Sequence, residues 1–133
     1  MNIPQYVINK IKVKANTEWP DDFRMQKYVI DTQTQAYINL NNYENFDIPE
    51  NVLEKIKKKA LIEWPDDFRM QKYVIDTQVQ AYNNLNNYEN SDIPENILDK
   101  IKKKALIEWP DDFNMQKHVI DTQITAYLEL NSL

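Results

Sequence analysis

"EWPDDF", residues 18–23 of a 133-residue chain, recurs letter for letter at 63–68 and again at 108–113. The residue before a proline is pushed out of the α region, so a helix running toward Trp64 ends at about Glu63. Pro65 has the φ angle of a helix start and lacks only an N–H that would be orphaned there. Asp66 and Asp67 follow, where carboxylates cap free N–H groups and favour the positive end of the helix dipole. The hexapeptide therefore reads as the joint of a helical hairpin, with Trp64 covering the corner. Breaks are expected near Trp19, Trp64 and Trp109.

Working outward, the spacing of 45 residues extends beyond the joint. "IPQYV" at 3, "IPENV" at 48 and "IPENI" at 93 share it. Residues 18–47 and 63–92 differ at three of 30 positions, and residues 48–88 match 93–133 at 31 of 41. So close a likeness points to recent duplication, and positions that differ say more than positions that agree. A fixed period of this length is the mark of stacked supersecondary units. The expected organisation is one repeat domain over 1–133, with copies at 1–45, 46–90 and 91–133.

Each copy reads as two helices. Asp47-Ile48-Pro49-Glu50 has the pattern of an acidic cap with proline in the first turn, and Asn2…Gln5 and Asp92…Glu95 repeat it. Ile48, Val52, Leu53, Ile56 and Ala60 then fall at helical spacing. The first copy keeps this stripe as Ile3, Val7, Ile8, Ile11 and Ala15 while changing seven of its first 15 residues. Such a stripe is core. Along the second helix, from about Asp66 to Leu85, Phe68, Met70, Val74, Ile75, Val79, Ala81, Tyr82 and Leu85 cover about half the circumference at roughly 100° per residue. A helix facing one neighbour needs less, so this one is expected to touch its own partner and an adjacent copy. The polar linkers "NNYENFD" and "NNYENSD" return the chain to the next start. The fold class expected is all-α: three tandem antiparallel hairpins, stacked as a short α-solenoid or a compact helical bundle.

Composition narrows the function. A net charge of −5 argues against a nucleic-acid backbone as partner. The chain has no cysteine, which removes thiolate chemistry, and no glycine, which removes glycine-dependent phosphate loops and hairpin turns. No stretch approaches the roughly 20 apolar residues of a membrane helix. "MNIPQYVINK" lacks the basic-then-apolar pattern of a secretory signal. A cytoplasmic protein is expected, with no cofactor, no metal and no membrane partner.

Several side chains invite a role. Gln71 and Gln78 sit in the apolar arc seven residues apart, as do Gln26 with Gln33 and Gln116 with Gln123. They either line a groove for a peptide backbone or hydrogen-bond across the boundaries between copies, fixing the stacking register. The pairs Asp21/Asp22, Asp66/Asp67 and Asp111/Asp112 suggest a metal or an acid–base pair, but adjacent carboxylates at a helix start act as caps and no histidine or cysteine accompanies them. "KIKKKA", at 55–60 and 100–105, has the composition of a solvated helix face. Leu61, Ile62, Leu106 and Ile107 lie off the main stripe, where the first copy has Asn16 and Thr17. Packing against the preceding copy would explain the difference, and would make the first copy a polar cap.

His118, the sole histidine, stands where the other copies have Tyr28 and Tyr73 on the polar face of the second helix. A position that accepts both residue types suits a contact surface better than a catalytic base. Arg24, Tyr28, Arg69, Tyr73 and His118 are the partner-binding candidates, because tyrosine and arginine dominate interface energetics.

The string "EWPDDFRMQKYVIDTQVQAY" resembles a helical segment, W-P-x-D-[YF]-x-M-Q-x-Y-x-x-x-x-Q-x-x-A-Y, of bacterial proteins to which no activity is attached. Trp64, Pro65, Asp67, Phe68, Met70, Gln71, Tyr73, Gln78, Ala81 and Tyr82 carry the likeness, and the third copy departs from it at His118. The resemblance covers about half of each copy and implies a bacterial or phage origin. The function expected is a non-enzymatic protein–protein interaction module, a regulator or inhibitor. The alternative is a self-assembling structural module joined through its apolar ends, Ile38 and Leu128 among them.

Overall fold

A computed structural model of the chain describes residues 2–45 and 47–133. Among the described residues six α-helices follow one another: α1 (Gln5–Glu18), α2 (Phe23–Asn41), α3 (Glu50–Glu63), α4 (Phe68–Asn86), α5 (Glu95–Glu108) and α6 (Phe113–Asn131). No strand occurs among the described residues. The odd-numbered helices have 14 residues and the even-numbered ones 19. α1 packs against α2, and α5 against α6. The chain divides into two compact parts, Met1–Ile75 and Asp76–Leu133, the division falling within α4.

The joint between α1 and α2 shows how "EWPDDF" works. Trp19 closes α1 with φ −132° and ψ 64°, and its N–H still donates to the Ala15 carbonyl at 3.0 Å. The Trp19 carbonyl then accepts from the Asp22 N–H at 3.3 Å, closing a four-residue turn with Pro20 second and Asp21 third. Asp21 has φ 64°, at the position a type II turn gives to glycine. Aspartate is among the few side chains that tolerate this region, so the turn forms in a chain without glycine. The same closing bond joins Asp67 to Trp64 and Asp112 to Trp109, each at 3.4 Å.

This arrangement corrects the expected helix start. The proline and the first aspartate are used up in the turn, so the second helix begins at phenylalanine and only the second aspartate caps it. Met25, Met70 and Met115 donate their N–H groups to Asp22, Asp67 and Asp112 at 3.1, 3.1 and 3.0 Å. Trp64 remains 39 % exposed. Backbone hydrogen bonds hold the corner beside it.

The starts of the odd helices also differ from the expected acidic cap. Pro4, Pro49 and Pro94 are themselves the cap residues, near φ −56° and ψ 140°, with no side-chain cap bond. The Pro49 carbonyl accepts from the N–H groups of Val52 and Leu53 at 3.0 and 3.1 Å. Asp47 lies two residues too early to reach them. Its own N–H donates instead to Asn45 Oδ1 at 3.0 Å.

The stripes read from the sequence are core. In the first part Val7, Ile11, Ala36 and Phe68 are buried together, with Ile3, Ile30, Tyr37 and Leu40 packed against them. In the second, Ile93, Leu98, Ala105, Ile120 and Ile124 form the centre, with Leu85, Tyr88 and Tyr127 at its margin. Burying an aliphatic side chain of this size stabilises by about 1.5–3 kcal/mol. Leu61, Ile62, Leu106 and Ile107, by contrast, are all exposed. They stand about 100° and 200° around the helix from the buried Ala60 and Ala105, which turns them off the stripe. None of the four is a core residue, and in the first copy, expected as a polar cap, Phe23 is 75 % exposed.

Candidate functional site

The glutamines divide into two sets with different tasks. Gln26, Gln71 and Gln116 each donate from Nε2 to the carbonyl of the tryptophan seven residues earlier, at 2.8, 2.7 and 2.6 Å. This satisfies a carbonyl left over at the end of the preceding helix and locks the joint within one copy. Gln33 and Gln78 bond outward, to the following copy. Gln33 Nε2 donates to Asp67 Oδ1 at 2.9 Å, while its Oε1 accepts from the Phe68 N–H at 2.8 Å. Gln78 does the same to Asp112 and Phe113, at 3.0 and 2.8 Å. Both the Nε2 donor and the Oε1 acceptor of each side-chain amide are used, and both glutamines are buried.

Aromatic contacts flank each clamp. The Tyr37 and Phe68 rings meet edge to face at 5.1 Å, and Tyr82 and Phe113 at 5.0 Å, an arrangement that favours aromatic pairs beyond their buried area. Lys10 approaches Asp66 at 3.5 Å, and Lys14 approaches Asp67 at 3.6 Å. Burial pushes the Asp67 carboxyl up, but the hydrogen bonds from Gln33 and the Met70 N–H, with Lys14 beside them, hold it below its ordinary value. The Lys14 ammonium is raised, chiefly by its hydrogen bond to Glu18. Of the two roles weighed for the glutamines, bonding between copies holds for Gln33 and Gln78. Gln26, Gln71 and Gln116 bond within their own copies, and Gln123 is exposed.

Clefts open beside the clamps. One is lined by Tyr6, Tyr37, Leu40, Leu61, Pro65 and Gln71, the other by Tyr82, Leu85, Lys102, Leu106, Phe113 and Gln116. Leu61 and Leu106 thus edge a groove rather than fill a core.

The five partner-binding candidates are on the surface. Tyr28 is 52 % and Tyr73 62 % exposed, and Arg24, Arg69 and His118 are exposed as well. Arg24 precedes Tyr28 by four residues on α2, as Arg69 precedes Tyr73 on α4, so each pair shares a helix face. On α6 the same face carries Asn114 and His118. Neither tyrosine ring takes part in a ring contact or a side-chain hydrogen bond among the described residues. No group of three or more His, Cys, Asp or Glu side chains that could hold a metal occurs among the described residues. No helix there is long and apolar enough to cross a membrane.

A further pair of contacts was not anticipated. Lys57 Nζ donates to the Tyr43 carbonyl at 3.3 Å and lies 5.8 Å from the centre of its ring; Lys102 treats Tyr88 alike, at 3.1 and 5.9 Å. One lysine of each "KIKKKA" run therefore ties down the incoming linker and is not simply solvated. The signal was a tyrosine fourteen residues before each of these lysines. Burial and the Asp121 carboxylate raise the Tyr88 hydroxyl above its usual range.

Comparison of the chain with protein-family models, with curated proteins and with solved structures finds no match in any of the three.

Proposed function

We propose that this chain is a non-enzymatic protein–protein interaction module, built from three 45-residue helical hairpins in a short α-solenoid or compact bundle. Its partner is another protein, met by the arginine–tyrosine faces of α2 and α4. The observation that carries this reading is the contrast among the aromatic side chains. Tyr37, Tyr82, Phe68 and Phe113 are committed to ring pairs, while Tyr28 and Tyr73 project from helix interiors, more than half exposed. Large aromatic and arginine side chains on a rigid element bind with little loss of conformational freedom. In α6 the position of the arginine is taken by Asn114 and that of the tyrosine by His118, so the third copy contributes less.

The reading is tested with a Tyr28→Ala/Tyr73→Ala double variant. Immobilised wild type retains a partner from native extract that the double variant loses, while the helical circular dichroism of the two chains is the same. Equal retention by the double variant, or equal loss on changing Asn114 and His118 alone, places binding on another face.

A further inference from the structure

Among the described residues the clamp is made twice, and the two halves of a third clamp stand exposed, one in the first copy and one in the last. The leading half is the start of α2. Asp22 caps Met25 as Asp67 caps Met70, yet the Phe23 ring is 75 % exposed where the equivalent Phe68 is 8 %. The trailing half is on α6. Gln123 and Ala126 are exposed, whereas their equivalents Gln33, Gln78, Ala36 and Ala81 are all buried at a clamp. Charge agrees with the match. Lys100 and Lys104 occupy the places of Lys10 and Lys14, which approach Asp66 and Asp67 in the first clamp, and Asp21 and Asp22 are the corresponding acids.

We infer that the trailing end of one molecule docks on the leading end of a second copy of the same chain. Gln123 then donates to Asp22 and accepts from the Phe23 N–H, with Tyr127 against the Phe23 ring. The interface continues the one already made twice within the chain. It replaces the terminal association through Ile38 and Leu128 with a defined set of contacts. Such a contact joins unlike surfaces, so each docked pair still offers one free leading and one free trailing end. Tyr28 and Tyr73 lie outside both ends, and the inference is independent of the partner-binding face.

Sedimentation velocity over a concentration series tests it, with the wild type beside Phe23→Ala and Gln123→Ala. Both side chains are exposed in the single molecule, so neither change should alter the helical signal. The wild type is expected to associate with rising concentration, and each variant to associate about tenfold more weakly or less, the effect of losing one packed or hydrogen-bonded contact. Mixing the two variants should restore binding, because one keeps an intact trailing end and the other an intact leading end, and growth should stop at pairs. The Tyr28→Ala/Tyr73→Ala variant should associate as the wild type does. A wild type that stays monomeric to its solubility limit overturns the inference, as does association that neither variant weakens. Failure of the mixture to recover would show that like ends pair, and overturns it too.

Discussion

A single carboxylate, Asp67, carries three duties: it caps α4, receives Gln33 and faces Lys14. Burial opposes its charge, and these three donors outweigh burial, so its carboxyl lies below the ordinary value. A group whose folded pKa is lowered holds fewer protons in the native state than in the unfolded one. Its stabilisation is present at neutral pH, above the unfolded value, and is lost as pH falls through the ordinary carboxylate range toward the lowered one. Asparagine also caps well but does not titrate. Chemical denaturation of Asp67→Asn across a pH series should therefore show a shallower loss of stability below about pH 4 than the wild type. Superimposable pH profiles would mean that the native surroundings do not favour the charged form.

At the scale of the helix, the joint is the element that the sequence announced most clearly. Trp19, Trp64 and Trp109 end their helices one residue after the glutamates where the pre-proline rule stops them. What that rule cannot supply is the conformation of the residues in between. Pro20 was legible as a φ of about −65°, and that value fits both a helix start and the second position of a turn. The turn prevails because the Trp19 carbonyl finds the Asp22 N–H and Asp21 accepts φ 64°. Replacing Asp21 by valine, a β-branched residue badly suited to the left-handed region, should destabilise by about 1–2 kcal/mol in thermal denaturation. Glycine at the same position should cost little. Equal tolerance of both would mean that the turn relaxes to another conformation.

The glutamines mark a second limit. Their place in the apolar arc was readable from helical spacing, and burial of Gln71 and Gln78 followed from it. Their division of labour was not, because seven residues are close to two full turns and leave both side chains on one face. Only the distance along the axis separates them: Gln71 is near enough to the joint to reach Trp64, and Gln78 is two turns further on. Leu61, which is half-exposed beside Tyr6, Tyr37 and Leu40, marks a related limit. An apolar side chain off the stripe can edge a cleft as readily as fill a core, and composition does not distinguish the two.

For the molecule as a whole, the account turns on the claim that copies are joined through the second glutamine of α2 and of α4. Gln78 and Gln123 have near-identical surroundings in sequence. They differ in that Gln78 is buried against Asp112 and Phe113 while Gln123 is exposed. Removing the buried Gln78 amide takes the acceptor from the Phe113 N–H, and the loss of such a partner costs about 1–3 kcal/mol; an exposed side chain changes stability by about 0.5 kcal/mol or less. Equilibrium denaturation of Gln78→Ala and Gln123→Ala, followed by circular dichroism at concentrations where the chain is monomeric, compares them directly. The account predicts a loss of about 1–3 kcal/mol for the first and almost none for the second. Equal effects, or a silent Gln78→Ala, would contradict it.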